Sequence, residues 1–437
     1  MELDFVEEPK LEFAFEQNEE YPRDGLFLFG PIKDETAPGA LRYGIIGTSD
    51  GINRFKRWAQ TIGGYIKRFE PRLNPEAQHH TSFPGFESVF RSKWPAEPLT
   101  TIKVSETDLK KALRIDNRFE AIKSAVDLYV DPLINFSKRE EAEPAFWFVV
   151  IPEFVYLLGR PTSKVPKNER TPGKVSISRA RARHIKTSPT LFGYEEEEAE
   201  VYRYSKHFRR QLKARLLKDK IVTQIVRETT LTPDDFKTSF RSPIRKIEDP
   251  ATIAWKLCTT AYYKAGGKPW RLSGVRPGVC YVGLVYKQTE PNSDDPNACC
   301  AAQMFLSSGD GLVFRGAAGP WYTPSNKEYH LEKKPAAELM SLVVSEYKIL
   351  HDNQDPAELF IHGRAKFDDQ EWEGFQSAVP SSTNLVGVQI RDAKSELKLF
   401  SPGKYPVIRR NYTKIIRTDR LFMDKWLYTQ IKHLPRS

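Results

Sequence analysis

The sequence predicts an α/β protein made of two successive sheet domains. Three features carry that expectation. Residues 42–66 read as strand, tight turn and helix, and the apolar run Phe146–Ile151 reads as a strand buried on both faces. From Val279 onward, short strands recur at hairpin spacing and then alternate with helices.

Each element follows from local chemistry. The apolar run Tyr43–Ile46 stops at Gly47, and Thr48 to Gly51 supply turn and N-cap residues. No Lys follows at phosphate-loop spacing, so this reads as a plain strand-to-helix turn. Pro152 ends the second run, and Ile221–Ile225 supplies a further strand, giving the rhythm of an open α/β sheet. Residues 158–190 are polar and rich in turn formers, including Pro161, Pro166 and Pro172. Within them Ser178-Arg-Ala-Arg-Ala-Arg183 reads as a solvated loop, with contact along a nucleic-acid backbone as the alternative. The acidic run Glu195–Glu198 reads as a solvated helix start, where carboxylates favour the dipole. In the second half, strands Val279–Tyr286, Ala301–Leu306 and Gly311–Arg315 are separated by turns at Asn292–Asn297 and Ser308–Gly311. A helix over about Pro335–Leu350, a strand at Glu358–His362, a helix begun by Asp368-Asp369 and a strand at Asn384–Ile390 complete an RNase H-like order.

Composition bounds the function. The chain has 437 residues, enough for two or three domains, and its 26 Phe, 18 Tyr and 8 Trp can fill sizeable cores. A net charge of +10 suits a polyanionic partner without establishing one. Cys258, Cys280, Cys299 and Cys300 form no C-x-x-C pair, which argues for reduced thiols rather than a zinc site. The first residues lack the basic and apolar regions of a signal peptide, and no apolar run nears the ~20 residues that cross a bilayer. A cytoplasmic protein is expected.

Residues 203–220 hold eight Lys or Arg against one Asp. Phe208, Leu212 and Leu216 recur every fourth residue and form an apolar stripe. Arg209 and Lys213 lie one turn apart on an adjoining face and can grip a phosphate, the first through its planar fork, the second as a point charge. Gln224 follows on the next strand. Taken alone, this helix is either a solvated basic face or an anion site.

Farther on, Lys264-Ala-Gly-Gly-Lys-Pro-Trp270 leads through a turn-rich linker into Val279-Cys-Tyr-Val-Gly-Leu-Val-Tyr286. This resembles the junction between the MID and PIWI domains of Argonaute proteins, where K-x-G-G-x-P-W precedes the first strand of an RNase H-like sheet. With Asn297-Ala-Cys-Cys-Ala-Ala-Gln-Met-Phe-Leu306 and Gly319-Pro-Trp-Tyr322, the chain is similar to the short prokaryotic Argonautes, most of all the branch encoded beside a TIR-APAZ protein. The likeness runs from the N-terminal Glu-Glu-Pro through about residue 410. It implies a Rossmann-like MID domain with an N-terminal extension over 1–265 and an inactive PIWI domain over 266–437, truncated or divergent after about 410.

The resemblance also implies chemistry. MID domains hold a guide's 5′-phosphate with two residues four apart on a helix, a Gln on the next strand and a Lys before G-G-x-P-W. Those roles fall on Arg209, Lys213, Gln224 and Lys264. The first is commonly Tyr or His in relatives. In slicing members the first PIWI strand reads roughly I-G-I-D; here Val285 stands at the Asp, and a hydrocarbon cannot ligate Mg²⁺. Gly363-Arg-Ala365 likewise lacks the Asp of an R-D-G-like turn. Asp368, Asp369, Glu371 and Glu373 read as helix-start acids, and His330 and His362 as packing or backbone-bonding groups.

The partners implied are a guide RNA, single-stranded target DNA and an APAZ-containing effector with a TIR domain that hydrolyses NAD once target binds. The rivals are a SIR2 or nuclease effector on the same fold, an active nuclease and a guide-independent nucleic-acid-binding module. No catalytic metal is implied, though relatives carry Mg²⁺ at the guide phosphate, held in part by the terminal carboxylate. The run Arg420–Ser437 departs from the family pattern, as does Arg410 where relatives have Gly; it reads as a shifted or truncated frame, so that ligand role does not transfer.

Overall fold

A computed structural model describes residues 3–5, 9–69, 81–139, 143–188, 190, 192–238, 244–288, 298–306, 311–318, 321–323, 328–390, 411–415 and 420–423. The chain divides into two units, one holding Phe13–Gln17 and Tyr21–Pro269, the other Met1–Glu12, Asn18–Glu20 and Trp270–Ser437. Residues 1–12 thus group with the C-terminal half. The reason is strand pairing: Leu11–Glu12 runs antiparallel to Arg271–Leu272, and Leu3–Phe5 to Asn411–Ile415.

The first unit is built on a parallel sheet in the order Thr100–Lys103, Tyr43–Gly47, Phe146–Ile151, Thr223–Arg227. Its two central strands are buried at every position, as their unbroken apolar runs require. Thr48 caps the helix Ser49–Thr61 by accepting from the Gly51 amide at 3.2 Å. The long helix Arg118–Arg139 buries Ile122, Val126, Tyr129, Val130 and Leu133 against the sheet. Phe208, Leu212 and Leu216 of the helix Phe208–Leu216 join the same core. Each such side chain contributes roughly 1.5–3 kcal/mol by leaving water, which sets the rotation of the basic helix.

Two expectations change here. The string after Ser178 is a helix, Arg179–Thr187, with the Ser178 hydroxyl accepting from the Arg181 amide at 3.2 Å. The acidic run lies in a second helix, Gly193–Glu200, and is not simply solvated. Glu195 grips the Arg181 guanidinium at 3.2 and 2.7 Å, while Glu198 accepts the Ser176 and Ile177 amides at 2.8 and 3.0 Å. Opposite charge pairs the two helices, a fit between segments that neither segment's composition reveals.

The second unit carries a five-stranded sheet in the order Gly311–Ala318, Ala298–Phe305, Val279–Gln288, Glu358–Gly363, Asn384–Gln389. The first three strands pair antiparallel and the last two run parallel to the middle one, which is the RNase H-like arrangement. Cys280, Val282, Leu284, Met304, Leu359 and Ile361 form a core with Leu339, Met340, Val343 and Phe375 from the helices Lys333–Leu350 and Asp369–Ala378. The turn Asn292–Asn297, residues 308–310, Gly319, Pro320, Arg410 and the tail from 424 lie outside the described residues.

Candidate anion site

The buried stripe of the basic helix turns Arg209 and Lys213 outward, and both are exposed. Gln224 is the second residue of the strand Thr223–Arg227, at the sheet's edge, and is half-buried. Lys264 is the last residue of the helix Pro250–Lys264, which begins with the Asp249 carboxylate accepting from the Thr252 amide at 3.1 Å. Its Nζ donates to the Thr223 carbonyl at 2.6 Å and to Gln224 Oε1 at 2.7 Å. The Gln224 Nε2 donates once, to the Ile225 carbonyl at 3.2 Å, and an amide nitrogen has a second hydrogen to offer.

Arg209 and Lys213 lie near enough to Lys264 to shift its titration. Burial first, then Lys213 and Arg209, lower its pKa to about 8. Lys213, at the rim, is lowered too, by partial desolvation and then by Arg209. Among the described residues none of these three cations is ion-paired with a carboxylate, whereas Arg215 on the same helix bonds both Asp127 and Asp131. Three mutually repelling cations and a spare amide donor suit a compact dianion, which would relieve the repulsion. The structure thus joins Gln224 and Lys264 by a hydrogen bond and places Lys213 and Arg209 within electrostatic reach of Lys264.

The carboxyl end of this sheet, where open α/β folds usually bind ligands, is differently furnished. Glu228 accepts the Glu153 amide at 2.9 Å, Glu153 bonds Arg227 and Thr229, and Asp235 bonds Arg54 and Arg57. Arg227 and Arg160 also stack on Tyr156, at 3.6 and 4.0 Å from its ring centre. Arg54, Arg57 and Arg227 have counter-charges there; among the described residues the cations at Lys264 have none. Nor do the residues around Lys264 fit a Mg²⁺ ion, because Gln224 Oε1 is engaged by an ammonium and the surrounding side chains are cationic.

In the second unit Val285 lies on the central strand and is 56% exposed, on the face opposite Cys280, Val282 and Leu284. Asp368 caps the helix after it, accepting from the Gln370 amide at 3.0 Å. Glu371 lies in the first turn, as a helix-start acid, but is 1% exposed and accepts from the Tyr286 hydroxyl at 2.6 Å and the Leu331 amide at 3.3 Å. His330 is buried with Nδ1 3.6 Å from Glu371, and His362 is half-buried beside Tyr281. Among the described residues no three His, Cys, Asp or Glu side chains are grouped to hold a metal, and no helix is long and apolar enough to cross a membrane.

No protein-family model and no curated protein matches the chain. Among solved structures it is similar to A. aeolicus Argonaute, at 14% identity and a TM-score of 0.47, covering 94% of this chain and 42% of that one. A crystal structure of Aa-Ago with externally bound siRNA gives 14% identity and a TM-score of 0.46, covering 94% and 43%. Drosophila Piwi gives 10% identity and a TM-score of 0.38, covering 82% and 34%. The chain spans less than half the length of each.

Proposed function

We propose that this chain is a non-cutting, Argonaute-type subunit that anchors the 5′-phosphate of a guide RNA and uses the guide to recognise single-stranded DNA. The observation that carries the reading is the set Arg209, Lys213 and Lys264, three cations within electrostatic reach of one another, with Lys264 bonded to Gln224 and no carboxylate paired to any of them among the described residues. A guide's terminal phosphate supplies the missing negative charge, and base pairing supplies specificity. Val285 at the centre of the RNase H-like sheet supports binding without scission. The sequence motifs further support a role in prokaryotic defence, with catalysis in a partner: an APAZ-containing protein whose TIR domain hydrolyses NAD upon target binding.

Capture of DNA by the purified chain tests the guided step. Loaded with a 5′-phosphorylated RNA, it is expected to retain complementary single-stranded DNA and release a scrambled strand of equal length and composition. Equal retention of both would replace this reading with a guide-independent nucleic-acid-binding module.

A further inference from the structure

Lys264 ends its helix, where terminal turns fray unless held. The turn after it is fixed on its inner side. The Ala265 and Gly267 amides donate to the Ala261 and Tyr262 carbonyls at 3.0 and 3.1 Å, and Gly266 takes a φ of +98°. Gly267 lies flat on Tyr262; a Cβ there would sit 2.3 Å from the ring. The outer side is held by a segment more than two hundred residues earlier. The Thr36 hydroxyl donates to the Gly266 carbonyl at 3.0 Å, the Ile32 amide to the Lys268 carbonyl at 3.1 Å, and the Lys268 ammonium pairs with Asp34 at 3.4 Å. Asp34 in turn accepts the Thr36 amide at 3.1 Å, and its Oδ1 lies 2.7 Å from the Thr36 hydroxyl, whose single hydrogen it shares with the Gly266 carbonyl. Its carboxyl titrates below the usual range: burial pushes it up, but the bonds from Thr36 and Lys268 outweigh that.

We infer that Asp34 and Thr36 are positioning residues for the anion site, forming a clasp that holds the Gly266–Lys268 turn and so keeps the Lys264 ammonium over Gln224. The inference rests on the anion-site reading above. These hydrogen bonds and the ion pair run within the clasp or to the Gly266–Lys268 turn, so the clasp acts through the path of the main chain. Its effect is selective. A partly exposed pair near the surface adds little to global stability, but a small displacement of the helix end moves the ammonium away from a site only a few ångströms across.

The test compares affinities for one RNA carrying either a 5′-phosphate or a 5′-hydroxyl. Asp34→Asn and Thr36→Val are each expected to cut the ratio of the two affinities by about threefold, the scale of losing a hydrogen-bonded pair near the surface. Hydroxyl-RNA affinity and melting temperature should stay at wild-type values. Asp34→Glu should restore the ratio. Variants that keep the full wild-type ratio would overturn the clasp alone. So would a parallel drop in hydroxyl affinity and melting temperature, which marks a purely structural role. A wild-type protein with no phosphate preference would overturn the anion-site reading, and the clasp with it.

Discussion

Lys213→Ala is expected to weaken binding of a 5′-phosphorylated RNA at least about tenfold and to leave the melting temperature of the free protein unchanged. A hydrogen bond between an ammonium and a phosphate contributes about 1.5–3 kcal/mol, and 1.4 kcal/mol is a factor of ten. Lys213 is exposed and bonds no carboxylate among the described residues, so little holds the fold to it. Lys264→Ala should cost binding at least as much, with a small loss of stability, because its ammonium also satisfies the Thr223 carbonyl. Filter binding beside a thermal melt separates the two effects. If binding and stability fall together at Lys213, the residue is structural and the assignment fails.

The second large effect is an absence. Guide-loaded protein given a labelled complementary DNA with Mg²⁺ or Mn²⁺ is expected to yield no product on a denaturing gel. A two-metal site needs several oxygen or imidazole ligands around ions about 4 Å apart. Val285 places a hydrocarbon on the central strand, and Glu371 is turned into the core against Tyr286 and Leu331. Val285→Asp should also fail to cut, since one carboxylate cannot assemble the pair. Guide-dependent scission at a single position would contradict the non-cutting reading.

The strands Tyr43–Gly47 and Phe146–Ile151 were legible in the sequence because burial on both faces demands an unbroken apolar run. The strand bearing Gln224 was placed two residues early, over 221–225 instead of Thr223–Arg227. The apolar Ile221 begins the run, yet its amide bonds the Leu216 carbonyl and still belongs to the end of the basic helix. The helix Arg179–Thr187 was hidden because its arginines draw support from partners elsewhere, Arg181 from Glu195 and Arg179 from the Phe119 ring at 5.1 Å. Glu371 shows the same limit from the other side. An acid in a first turn is expected by local rules, and nothing local reveals that it is buried.

The candidate site was legible in part. Arg209 and Lys213 stand out by their spacing and Gln224 by its place on the next strand, whereas Lys264 enters through the family motif. What the motifs could not give was the reason these cations are special: among the described residues the neighbouring Arg215 is paired with carboxylates and they are not. The Asp34–Lys268 pair was invisible, because its partners are joined only by the fold.

The central claim, that Arg209, Lys213, Gln224 and Lys264 hold a terminal phosphate, is tested most directly by titrating the wild-type chain with one RNA bearing either a 5′-phosphate or a 5′-hydroxyl. The phosphorylated strand should bind at least about tenfold tighter, the scale of one charge-assisted hydrogen bond. That preference should shrink as pH rises above about 8, where burial, Lys213 and Arg209 bring Lys264 to give up its proton in the free protein. Equal affinity for the two ends near neutral pH would contradict the account.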